Sequence, residues 1–212
     1  MSYVIMSGKY ETGTEEQKMG FSMLLGPDNT RYKFDLYFHW YNLVHELGHC
    51  IKSGTDVEMS NVKEEMFVNE LAVGYYRLVG ENERLLELQE IIENAVTNMP
   101  SPVPEGEDFI GFFERIWGNE QLMQVMVYGY LQLNSVLMAL KNPVPFEKTL
   151  SKIGISVSAS DSLVKEQFPV VSENAGKVLD QAIENMKRLG IDVPDVRVEL
   201  QQNPEIQCAR PE

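Results

Sequence analysis

Only two cysteines occur in the chain, Cys50 and Cys208, far apart and outside any CxxC pair. That excludes a disulfide framework. Basic residues are scarce: 18 Lys and Arg stand against 32 Asp and Glu, for a formal net charge of −14. No basic stripe interrupts the acidity, so nucleic acid and anionic membranes are not expected as direct partners. No run is apolar for long enough to cross a bilayer. The opening MSYVIMSGKYETG lacks the charged stretch and following apolar stretch of a secretory leader. The expected setting is the cytoplasm. There is no internal repeat and no low-complexity tract.

What is present is ordinary for a globular protein, with 43% hydrophobic and 24% charged residues. A length of 212 residues suits one domain with a helical extension, or two small subdomains. Near the start, MGFSMLL (19–25) and RYKFDLYF (31–38) flank the turn-rich GPDNT. In the second run Tyr32, Phe34, Leu36 and Phe38 alternate with Arg31, Lys33 and Asp35, which predicts a β-hairpin. From about His39 the period becomes helical. One helix is expected through NLVHELGHCIKS, stopping at Gly54 in a left-handed cap. A second begins near Asn61, with Glu64 as its capping partner, and a third covers 81–96.

PSPVPEG (100–106) cannot continue a helix and is the best linker. Further helices are expected at EDFIGFFERIW, NEQLMQVMVYGYLQLNSVLMAL and SENAGKVLDQAIENMKRLG, with a shorter one near PFEKTLSKI. The regions expected are thus 1–99, a helical 107–190, and an irregular tail over 191–212.

Two of the three histidines fall in His45-Glu46-Leu47-Gly48-His49, an HExxH motif. Residues four apart on a helix sit only about 40° from one another around the axis, so both imidazoles can face one ion. Zinc accepts neutral imidazole nitrogen well. Glu46 is turned away by about 100°. It is poorly placed to ligate but can reach a water on the ion, take its proton and pass it to a leaving amine. Leu43, Val44 and Leu47 give the helix an apolar side that would bury it.

The third ligand decides the class. HExxHxxGxxH fails, because Lys52 and Thr55 occupy the Gly and third His positions. No cysteine precedes the motif to serve instead. The remaining solution is a Glu from the next helix, which offers Glu64, Glu65 and Glu70. Glu65 is favoured. Glu64 is the better cap partner for Asn61, and Glu65 has Asn69 on its own face. Asn69 can accept from the Nδ1–H of a ligand histidine and fix its tautomer.

HELGH followed by Glu65-x-x-Val68-Asn69-x-Leu71-Ala72 resembles the ImmA/IrrE family of gluzincin-like peptidases. That family shows HELGH and then E-x-x-A-N-x-F-A. Val68 and Leu71 depart from its Ala and Phe. The resemblance covers roughly residues 19–80, and nothing after Pro100 shares in it. It implies a zinc peptidase of the kind whose members cleave regulatory proteins such as repressors.

The expected fold is α+β and mostly helical: a zincin-like core with a small N-terminal hairpin or sheet, a two-helix HExxH…E metal site, and a helical C-terminal half. The expected function is zinc-dependent hydrolysis of peptide bonds in a peptide or protein substrate, with Glu46 as general base and His45, His49 and Glu65 as ligands. A donor for the tetrahedral intermediate is also needed. The candidates are His39, about two turns before Glu46, and Tyr75, Tyr76, Tyr128 and Tyr130. Cys50 is expected to pack rather than ligate. The alternatives are a non-hydrolytic, zinc-stabilised regulatory or protein-binding module, and a zinc hydrolase of small amides. An intact Glu46 argues against the module, since a structural site needs no general base and normally supplies a fourth protein ligand.

Overall fold

The structure is a computed structural model that describes residues 2–158 and 162–201. It divides into two compact units, one drawn from Met1–Thr55 with Ile155–Glu212 and the other from Asp56–Gly154. The division falls just after the HExxH helix.

In the first unit, strand β1 (Ser2–Gly8) leads into a 3₁₀ turn at Tyr10–Thr12 and helix α1 (Glu15–Leu25). A capping box starts α1: the Thr14 hydroxyl accepts from the Gln17 N–H at 3.2 Å, and the Gln17 carboxamide accepts from the Thr14 N–H at 2.8 Å. Helix α2 (Thr30–Leu36), a π turn at Tyr37–Tyr41 and helix α3 (Asn42–Ser53) follow without a break. Helix α4 (Asn61–Leu78), α5 (Asn82–Asn98), α6 (Phe109–Ile116), α7 (Val125–Lys141) and α8 (Phe146–Ser151) come next and belong to the second unit. The chain then returns to the first unit for α9 (Ala175–Arg188) and strand β2 (Asp195–Gln201).

Two sequence expectations are corrected here. The hairpin of 19–25 and 31–38 is not formed; both runs are helical. The turn residues between them do act as a turn, with Gly26 at φ 86° and Asn29 at φ 55°, but it joins helices. Aromatic side chains four apart meet along the second run, as helical spacing brings them together. Phe34 and Phe38 lie 4.5 Å apart between ring centroids, and Tyr37 and Tyr41 lie 6.0 Å apart. The Thr30 hydroxyl donates to the Gly26 carbonyl at 2.9 Å and starts α2.

The tail is not irregular up to Gln201. β2 pairs in parallel with β1, from Ser2 opposite Asp195 to Gly8 opposite Gln201. Ile5 and Val196 turn inward from this sheet. Residues 202–212, with Cys208, lie outside the described residues.

The core of the first unit lies where α9 packs on α3 and on β2. Leu43, Val44, Leu47 and Ile51 of α3 are buried, as are Val178, Leu179, Ala182 and Met186 of α9. Asn185 of α9 is fully buried and latches an extended segment, accepting from the Val164 N–H at 2.7 Å and donating to its carbonyl at 2.9 Å.

In the second unit α4 is the hub, in contact with α5, α6, α7 and α8. Gly74 allows the closest approach. A Cβ there would sit 3.0 Å from the Phe146 Cα and 3.1 Å from the Val144 carbonyl oxygen.

Candidate metal centre

Helix α3 carries the motif because its apolar residues fall on one side. Leu43, Val44 and Leu47 are fully buried, and His45 is carried inward with them at 4% exposure. His49 follows one turn later and is half-buried. The two imidazoles stand edge to face, 5.0 Å between centroids. The helix ends at Gly54, which has φ −80° rather than the expected left-handed conformation. Its N–H reaches the Ile51 carbonyl at 3.1 Å, so the last turn simply tightens and no φ reversal is needed.

Helix α4 starts one residue after Ser60, which makes no side-chain cap, and the expected Asn61–Glu64 capping pair is not the device that opens it. Of the three acidic candidates on α4, Glu65 is buried at 7% exposure. Glu64 and Glu70 are half-exposed, and Glu70 pairs with Lys152. Asn69 is fully buried and its amide donates to the Glu65 backbone carbonyl at 2.9 Å. A solvated acidic face would bury neither side chain.

One donor atom each from His45, His49 and Glu65 lie within 4.8 Å of one another, a group that can hold a metal ion. Neither Glu64, Glu70 nor Glu46 belongs to it. The donor chemistry fits a divalent cation: two imidazoles supply neutral nitrogen, and one carboxylate supplies charge where burial would otherwise disfavour it.

Glu46 is half-buried, and its Oε1 accepts from the Asn42 amide at 3.1 Å. Cys50 is buried beside the motif. Burial, and next the Glu46 carboxylate, push its thiol up to about 11, so at neutral pH it is a packing group.

The remaining candidates are dispersed. His39 lies in the π turn with both ring nitrogens engaged, Nδ1 at 2.6 Å from Asp35 and Nε2 at 3.1 Å from the Gly8 carbonyl. To donate to a substrate it would have to break one of these bonds. Tyr75 and Tyr76 are buried in ring contacts with each other, and Tyr75 also meets Phe146. Tyr130 packs against the cluster of Val62, Phe112, Phe113, Ile116 and Leu131. Tyr128 packs there too, but its hydroxyl lies 3.3 Å from Glu65 Oε1. Sequence reasoning missed two partners, Asn42 on Glu46 and Gln132 on Tyr128. The only signal available was their i, i+4 spacing.

Among the described residues no helix is long and apolar enough to cross a membrane. Comparisons with family models, with curated proteins and with solved structures found no match to this chain.

Proposed function

We propose that this chain is a zinc-dependent peptidase with a zincin-like core, working in the cytoplasm on a peptide or protein substrate. The single observation that carries this reading is the convergence of His45, His49 and Glu65 donor atoms while Glu46, on the same helix, stands outside the group. A set of two histidines and a glutamate is a catalytic zinc set, which keeps a coordination position for water or substrate. Zinc bound there supplies a Lewis acid for the scissile carbonyl and makes water acidic enough to be deprotonated at neutral pH.

The chain's own residues do the rest. Glu46 accepts the proton of the attacking water and returns it to the departing amine nitrogen. The Asn42 amide, 3.1 Å from Glu46 Oε1, holds that carboxylate in orientation. Asn69, buried beside Glu65, is suited to accept from a ligand histidine and fix its tautomer. The resemblance of HELGH and Glu65-x-x-Val68-Asn69-x-Leu71-Ala72 to the ImmA/IrrE family favours a regulatory protein as substrate.

The test is a comparison of cell-extract proteins incubated with zinc-loaded wild type and with zinc-loaded Glu46→Gln. New peptide termini found with wild type and missing with the mutant are the expected result. If no termini appear and a partner is retained equally by both forms, the chain is a non-hydrolytic binding module and this reading fails.

A further inference from the structure

Beside the metal group, a pair of side chains on α7 reaches Glu65 from within its own unit. The Tyr128 hydroxyl donates to Glu65 Oε1 at 3.3 Å. The Gln132 amide donates to that same hydroxyl at 2.8 Å from one turn further along α7. A phenol has one proton and lone pairs to accept with. The hydroxyl accepts from Gln132 with a lone pair and gives its own proton to Glu65.

The ring is half-buried and held by packing. It packs on the cluster of Phe112, Phe113, Ile116 and Leu131, and meets the Trp117 ring edge-on at 6.3 Å. A packed ring with an oriented hydroxyl restricts the rotation of the carboxylate it donates to.

We propose that Tyr128, oriented by Gln132, is the positioning residue for Glu65 as a metal ligand, and is thereby committed to the carboxylate rather than to the substrate oxyanion. The inference rests on the zinc-site reading. It adds a dependence of metal affinity on two α7 side chains that are not ligands. Ligating carboxylates are commonly hydrogen-bonded in turn, and loss of such a partner typically weakens metal binding by about 10–100-fold.

The experiment is zinc affinity measured by competition with a chromophoric chelator, for wild type, Tyr128→Phe, Gln132→Leu, the double mutant and Tyr130→Phe. Tyr128→Phe keeps the ring and removes only the hydroxyl. It should weaken zinc about 10–100-fold with an unchanged melting temperature measured without metal. Gln132→Leu should weaken it less, and should add nothing in the Tyr128→Phe background, because the two act through one bond. Tyr130→Phe should match wild type. The visible spectrum of the cobalt-loaded protein should change in Tyr128→Phe, which a packing role would not produce.

Wild-type affinity and an unchanged cobalt spectrum in Tyr128→Phe would overturn the inference while leaving the zinc site standing. Should Tyr128→Phe fail to fold, Gln132→Leu with wild-type affinity would do the same. A wild-type protein that takes up no zinc would overturn the site reading and this inference together.

Discussion

His39 and Asp35, one helical turn apart, hold each other at 2.6 Å in the interior, where both are almost wholly shielded from solvent. The other ring nitrogen reaches back to the Gly8 carbonyl at 3.1 Å, so one side chain ties the π turn to the end of β1. A carbonyl only accepts, which places a hydrogen on Nε2.

Removing this imidazole strands a buried carboxylate, which typically costs about 3–5 kcal/mol. Arg31 is 3.8 Å from the other Asp35 oxygen and half-exposed, so it offsets only part of the loss. His39→Ala should therefore lose about 3 kcal/mol of stability by urea denaturation. Where the protein remains folded it should keep its zinc. A loss below about 1 kcal/mol would mean that the contact is not the clamp described.

Selectivity among the three glutamates of α4 is the next test. Glu65 belongs to the metal group, whereas Glu70 is paired with Lys152 and Glu64 lies half-exposed in the first turn. Wild type should bind one zinc per chain. His45→Ala, His49→Ala and Glu65→Gln should each lower its affinity by far more than Glu64→Gln or Glu70→Gln. Elemental analysis after dialysis, with isothermal titration for affinities, checks this. Full zinc retention in either histidine mutant would sink the site.

The metal group was legible in the sequence for a physical reason. HExxH is read from one helical turn, and the burial of Glu65 and Asn69 follows from their place among Val68, Leu71 and Ala72. What failed was also local. Tyr32, Phe34, Leu36 and Phe38 alternate as a strand would, yet Phe34, Asp35 and Leu36 are all buried, which no half-buried strand allows. The period-2 signal came from a helix buried on most sides and re-phased by a π turn at Tyr37–Tyr41. The sheet was unreadable for the opposite reason. β1 and β2 come from the two ends of the described chain, and no turn chemistry links Ser2 to Asp195. Tyr128 stood among four equal tyrosines until the fold brought its hydroxyl to Glu65.

Two glycines in helices should respond oppositely to alanine. At Gly20, midway along α1 and exposed, an added Cβ meets nothing within 4 Å. Gly20→Ala should gain about 0.5–1 kcal/mol from helix propensity. At Gly74 the same gain competes with a Cβ pressed to 3.0 Å from the Phe146 Cα, and backbone cannot swing aside as a side chain can. Overpacking of that kind costs about 1–3 kcal/mol, so Gly74→Ala should be net destabilising. Denaturant midpoints decide it, and a stabilised Gly74→Ala would show that α4 and α8 lie further apart than described.

Metal removal should separate ligands from the general base in a single assay. A cation that binds the folded chain and not the unfolded one stabilises it by mass action, by about 4 kcal/mol when free zinc is a thousandfold above Kd. For a chain of this size that is roughly 8–16 °C in melting temperature. Wild type should therefore melt lower by about that much after chelation and recover when zinc is restored. Glu65→Gln should show little shift at the same zinc concentration, because one of the three donors is lost. Glu46→Gln should shift as wild type does, since Glu46 lies outside the donor group and its amide replacement keeps the side chain's size. The same mutant cannot accept the water's proton, so its turnover of any peptide substrate should fall by at least about two orders of magnitude. A Glu46→Gln protein that loses the zinc-dependent shift would make Glu46 a ligand. One that keeps the shift and cuts as fast as wild type would remove the general base from the mechanism.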